Sequence, residues 1–236
     1  GAGVVSAIGE HVTEVAVGDI VAWSGVDGSY AERAVVPANK LVKIPQGVDP
    51  RIGASIMTQG LTAHYLAHST YPLRSGDTCL IHAGAGGTGL LFIQMAKRLK
   101  TTVITTVSTE AKAELARDAG ADVVINYTEQ DFQSETMKAT SGRGVQVVYD
   151  SVGKTTFDKS LASLATRGML VLFGQSSGTV PPIDPRVLNS RSLYLTRPIL
   201  DHYTDNREEL MWRANDVLGW IRSGELTVRI GHEFPL

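Results

Sequence analysis

Apolar positions change their spacing about a fifth of the way along the chain. Up to about residue 50 they fall in short β-like runs broken by turn residues: GVVSAIG at 3–9, GDIVAW at 18–23 and GSYAERAVVPANKLVKIP at 28–45. Short runs bounded by glycine, proline and asparagine predict the strands of an all-β unit. From about residue 52 the texture alternates. Apolar or β-branched runs at 78–83, 102–107, 122–126, 145–150, 169–173 and 192–196 are separated by helical spacing at 88–99, 110–119, 129–140 and 155–166. Buried strands joined by crossover helices predict a parallel, doubly wound sheet covered on both faces. REELMWRANDVLGWIRSGEL at 207–226 predicts one more helix, ending at Gly224.

Composition narrows the function classes. The 236 residues are ample for a hydrophobic core, and 43% hydrophobic with 19% charged residues is the balance of an ordinary globular protein. The net charge of -2 is scattered, so no electrostatic footprint favours nucleic acid or an anionic membrane surface. No uninterrupted apolar stretch approaches the roughly 20 residues of a membrane helix. The single cysteine, Cys79, lies in an apolar run, which rules out an intrachain disulfide and predicts a buried structural thiol in a reducing, cytoplasmic setting. The chain opens in mid-strand at GAGVVSAIG and stops at GHEFPL, so it is expected to be a piece of a longer protein, or one whose ends are absent.

Candidate chemistry begins at CLIHAGAGGTGLLFIQMAKRL, residues 79–99. Gly84, Gly86 and Gly89 satisfy G-x-G-x-x-G, with only small residues between them. The string alone is weak, but it follows the first strand of the βα series and opens a helix, where free N–H groups and the positive dipole end favour a pyrophosphate. A phosphate-binding P-loop does not fit, because Leu90 and Leu91 stand where Lys and Ser/Thr are required. Dinucleotide binding is therefore expected. An NAD site usually has Asp or Glu at the end of strand two. Here the strand ends TTVSTEAK, with hydroxyls at Thr106, Ser108 and Thr109 and then Lys112. Hydroxyls with an ammonium suit a 2′-phosphate, which a carboxylate would repel, so NADPH is expected over NADH. Glu110 fits instead as a dipole partner in the first turn of the next helix.

Beyond this loop, QGLTAHYL (59–66), HAGAGGTGL (82–90), GADVVINYTEQDF (120–132), VVYDSVGKTTF (147–157), LFGQSSG (172–178) and LTRP (195–198) occur in one order. With GAGVVSAIGEHVTEVAVGDIV at the start, this series resembles the zinc-independent, zeta-crystallin-like quinone oxidoreductases of the medium-chain dehydrogenase/reductase superfamily. The resemblance implies a six-stranded parallel Rossmann cofactor domain at 60–199. It further implies a partial GroES-like β domain from 1–59 and 200–236. It places Thr62 beside the nicotinamide or its pyrophosphate and adds Gly87 and Thr88 to Gly86 at the pyrophosphate, where the family usually has Val in place of Thr88. Ser108, Lys112 and Tyr127 match the 2′-phosphate group, although a tyrosine ending a strand with a wet hydroxyl is the plainer account of Tyr127. Ser151, Phe173, Gly174, Gln175 and Ser176 end strands four and five, at the edge where open α/β sheets bind ligands. Arg197 lines the cleft near the nicotinamide or forms a structural ion pair.

One cysteine cannot build the Cys/His catalytic site or the four-cysteine lobe of the zinc-dependent relatives, so no metal site is expected, and His64, His68, His82 and His232 are expected in core or surface roles. A quinone or enone acceptor stabilises the developing anion through its own conjugated carbonyls, so no obligatory protein nucleophile is expected and no catalytic residue is assigned. Three readings follow from the resemblance: an NADPH-dependent quinone reductase, an enone or enoyl reductase, and a non-catalytic NADPH-binding protein of crystallin or RNA-binding type. A homodimer paired through the last strand of the cofactor domain, SLYLT at 192–196, is implied by analogy.

Overall fold

The computed structural model describes residues 1–235, in two compact units: Gly1–Tyr65 with the segment from Leu200 onward, and Leu66–Ile199. The first unit begins with β1 (Ala2–Val4), β2 (Ile20–Ala22) and β3 (Val42–Lys43), an antiparallel sheet in that order. The run 28–45 joins this sheet only near its end, where Val42 and Lys43 pair with β2 and the Ile44 N–H donates to Ile20 O at 2.8 Å. A strand needs a partner ladder, and among the described residues none lies beside 28–36, where Tyr30 and Val35 are 98% and 97% exposed. Helix α1 (Pro50–Tyr65) follows, with proline at its first position, where no N–H is missed.

The second unit is built on six strands: β4 (Thr78–Ile81), β5 (Thr102–Val107), β6 (Val123–Asn126), β7 (Val145–Asp150), β8 (Leu164–Leu172) and β9 (Tyr194–Thr196). Every pairing is parallel and the order is β6-β5-β4-β7-β8-β9. The chain therefore reverses direction across the sheet between β4 and β7. In open α/β sheets that switch point is where ligands bind, outside the carboxyl ends of the strands. Helices α2 (Gly87–Arg98), α3 (Glu110–Asp118), α4 (Phe132–Ala139) and α5 (Phe157–Ala162) are the crossovers. Central strands such as β7 are largely buried on both faces, and Leu80, Ile104, Val148, Phe157 and Leu170 belong to one buried cluster.

The helical spacing at 155–166 overreaches. The helix stops at Ala162 and Leu164 is already strand, fully buried and paired with Val145. Arg167, at φ +62, then puts a bulge into β8 before Met169 resumes the ladder with Val147. Burial of Leu164 against the neighbouring strand overrides local helical preference.

The first unit closes with α6 (Arg207–Arg222), whose N-cap Asn206 accepts from the Glu209 N–H at 2.8 Å. On α1, Gly60 leaves room for α6, since a Cβ there would lie 3.1 Å from Val217. Fully buried His64 donates from Nε2 to Asp216 (3.0 Å), accepts at Nδ1 from Arg213 (3.3 Å) and stacks on Trp220. It is a core histidine.

Candidate functional site

A cleft of about 880 Å³ opens at the carboxyl ends of β4, β5, β6 and β7. The glycine turn forms one wall. Ala83 takes the left-handed conformation (φ +55), which costs an L-residue roughly 1–2 kcal/mol and is stable only where neighbours fix it. Its carbonyl accepts from the Gly86 N–H at 3.0 Å, and the Gly84 N–H donates to Thr106 O at 3.1 Å. The three motif glycines do different jobs. A Cβ on Gly84 would stand 2.0 Å from Thr105 Oγ1, and one on Gly89 would stand 2.4 Å from Ala83 O, so both are required by packing. On Gly86 the nearest atom is Ala83 O at 3.2 Å. Gly86 is instead an exposed residue lining the cleft, and it N-caps α2 without giving a side chain to the first-turn N–H groups. Gly87 and Thr88 form that open turn. An anion is the natural partner of such a helix end.

Ser108, Lys112 and Tyr127 are brought together on a second wall. Lys112 Nζ donates to Ser108 Oγ at 3.0 Å and, among the described residues, pairs with no carboxylate. Tyr127, at the end of β6, is 54% exposed. Thr106 and Thr109 do not join them. The Thr109 hydroxyl caps α3, accepting from Lys112 N–H at 3.3 Å, and Thr106 is buried against His82. Glu110 lies in the first turn of α3, where its carboxylate accepts from Arg117 at 2.5 Å.

The remaining predicted residues are more dispersed. Ser151 and Gly174–Ser176 are held to each other by backbone: Ser176 N–H donates to Ser151 O (3.1 Å), and a Cβ on Gly174 would meet that oxygen at 2.5 Å. Phe173 N–H donates to Asp150 O at 2.9 Å. Of this group only Ser176 lines the cleft. Arg197 follows β9 and donates from Nη1 to Leu172 O at 3.0 Å. Thr62 lies on α1, half-buried, in the first unit.

Beneath the cleft lies a buried polar network that the sequence did not single out. Asp150, ending β7, accepts at Oδ1 from Val152 N–H (2.8 Å) and Gly153 N–H (2.9 Å), and at Oδ2 from Thr156 (2.7 Å) and Ser160 (3.0 Å). His82 bridges Ser160 (3.0 Å) and Thr106 (2.9 Å), with Phe132 edge-on to its ring. Burial pushes the His82 imidazole below its ordinary pKa, opposed by the Asp150 charge. On the cleft rim Lys159 pairs with Asp131, the N-cap of α4. With that ammonium as the main cause, and the Ser134 N–H adding to it, the Asp131 carboxyl is held down at about 2. The available signal was a histidine at the end of an apolar strand and an aspartate ending another, both beside the switch point.

A parallel sheet in this order, with a glycine turn and an open helix end at its switch point, defines a dinucleotide-binding domain. A family profile described as "Zinc-binding dehydrogenase" matches residues 87–213. The chain is 44% identical to a quinone oxidoreductase of Pseudomonas aeruginosa, over all of this chain and 73% of that protein. It is 42% identical to a 2-haloacrylate reductase of a Burkholderia species, over all of this chain and 72% of that one. The solved structure of Escherichia coli quinone oxidoreductase complexed with NADPH superposes with a TM-score of 0.95 at 40% identity, covering 98% of this chain and 71% of that one. The chain belongs to the quinone oxidoreductases of the medium-chain dehydrogenase/reductase superfamily. Among the described residues no group of three or more His, Cys, Asp or Glu could hold a metal ion.

Proposed function

We propose that this chain is the greater part of an NADPH-dependent quinone oxidoreductase. The observation that carries the reading is the pairing of two anion sites in one cleft: the open first turn of α2 for a pyrophosphate, and Lys112 with Ser108 and Tyr127 for a 2′-phosphate. NADPH supplies the hydride chemistry when bound. The chain's own part is to orient it: Gly86, its N–H held by Ala83 O, leaves the helix end open, Gly87 and Thr88 present the N–H groups of the first turn, and Lys112 supplies a cation that no carboxylate among the described residues claims. Thr62, Ser151, Phe173, Gly174, Gln175, Ser176 and Arg197 complete the cofactor contacts in this reading. Residues 60–199 are assigned to the cofactor domain, and 1–59 with 200–236 to an incomplete GroES-like substrate domain. The exposed edge of β9, with Tyr194 57% exposed, supports a homodimer paired there. The single thiol, fully buried, suits a reducing cytoplasm.

Titration of cofactor fluorescence tests the reading, with a simple quinone added to the same cuvette. NADPH is expected to bind more tightly than NADH and to be oxidised when the quinone is added. Replacing Lys112 by alanine removes charge-assisted bonds of about 1.5–3 kcal/mol, so the NADPH Kd should rise roughly tenfold to hundredfold while the NADH Kd stays within about twofold. Equal effects on both would place the 2′-phosphate elsewhere. The 2-haloacrylate reductase relative favours a second reading, in which the acceptor is an activated alkene. Turnover of haloacrylates or enones but not quinones would select it, and NADPH binding with no turnover of either would leave a binding protein.

A further inference from the structure

Resting on the dinucleotide reading above, we infer that His82 is a positioning residue for the cofactor: through Thr106 it holds Ala83 in the left-handed turn that presents the open end of α2. The network fixes its own proton directions. Ser160 donates its hydroxyl proton to Asp150 Oδ2 and so accepts from His82 Nε2–H. A neutral imidazole protonated at Nε2 accepts at Nδ1 from the Thr106 hydroxyl, leaving Thr106 Oγ1 to accept the Ala83 N–H at 3.3 Å. Every link is buried or at the cleft wall, and the lowered basicity of His82 keeps the ring in the neutral form this order requires. The chain thus runs from a carboxylate anchored on β7 and α5 to the one non-glycine residue of the loop with a positive φ.

That residue is the crank of the turn. Its carbonyl receives Gly86 N–H and limits the space at Gly89, so its twist sets the direction in which Gly86 and the first turn of α2 face the cleft. An alanine has no intrinsic reason to be left-handed, whereas glycine adopts that conformation freely. Without the His82–Thr106 link the loop should sample other conformations, and the competent fraction, with it the apparent affinity, should fall.

The test is a rescue experiment in the full chain, read as Kd for NADPH and NADH by cofactor fluorescence, with folding checked by thermal melting. His82→Ala is expected to weaken both nucleotides alike, by about tenfold, because the pyrophosphate is common to them. Adding Ala83→Gly should restore both to within about threefold of the wild type. Should His82→Ala fail to fold, Thr106→Val cuts the same link with a near-isosteric side chain and carries the same rescue. Folded variants that bind as well as the wild type overturn the inference, as does a loss that Ala83→Gly does not restore. A wild-type chain that binds neither nucleotide removes the dinucleotide reading, and this inference with it.

Discussion

The glycine turn shows how much one methyl group decides. Gly86 has φ −73 and ψ 165, which any L-residue can adopt, and its virtual Cβ touches only one carbonyl at 3.2 Å. Gly86→Ala should therefore melt within about 2 °C of the wild type, since the required shift is a few tenths of an ångström. It should still weaken NADPH roughly tenfold, because a methyl group then stands on the surface that the phosphates must approach. Gly89→Ala is the opposite case. Its Cβ would lie 2.4 Å from Ala83 O and 2.7 Å from Gly84 O, and backbone cannot give way as a side-chain tip can. Overpacking of about 1–3 kcal/mol should lower its melting temperature by roughly 2–12 °C in a chain of this size. A pair of melting curves and a pair of titrations separates the two roles. If the two variants proved equal in both measurements, the division of labour among the glycines would be wrong.

At the element scale the sequence was most legible where strands are buried on both faces. β5 and β7 fall where apolar or β-branched runs place them, at 102–107 and 145–150. It was least legible where a partner decides the outcome: 28–36 has strand-like residues but no ladder, and Leu164 leaves its helix because Val145 is beside it. The same limit applied at the site. The chemistry of Ser108 and Lys112 shows in their residue types, whereas the roles of Thr106 and Thr109 depend on what lies 24 residues back or one helical turn ahead. Asp131 and Lys159 are a pair for that reason too, joining the cap of α4 to α5. Asp131→Ala should cost about 1 kcal/mol through the lost cap, lowering the melting temperature by roughly 2–4 °C. Asp131→Asn keeps a capping oxygen and breaks only the exposed ion pair, so it should stay within about 1 °C. Similar losses for both would mean that the ion pair outweighs the cap.

For the molecule as a whole, His82 and Asp131 contribute to the response of stability to acid, with folding disfavouring the charged form of the first and favouring that of the second. Asp131 remains ionised to about pH 2, so its pairing with Lys159 is intact throughout the mildly acidic range. A depressed carboxyl gives stability that is fully present above its unfolded pKa of 3.8 and is lost progressively as the pH falls from there through about 2. His82 has the reverse sense. Its folded pKa lies below the unfolded 6.5 because burial disfavours the imidazolium, with Asp150 only partly offsetting this. Below pH 6.5 the unfolded chain therefore binds a proton that the folded chain refuses, and stability falls with pH until the folded group also titrates. The melting temperature should decline from pH 7 to pH 5, and His82→Gln, which cannot take up that proton, should show a smaller decline than the wild type. Parallel curves for the two proteins would show that His82 is not the group responsible. The buried Cys79 thiol gives an independent reading of the same transition. Burial raises its pKa to about 12, so a thiol reagent at pH 8 should leave the folded chain unmodified and react fully only after unfolding. Carried out at pH 7 and at pH 5 with a reagent active at both, that labelling should be faster at the lower pH if neutral His82 is part of what keeps the sheet closed over Cys79 on β4.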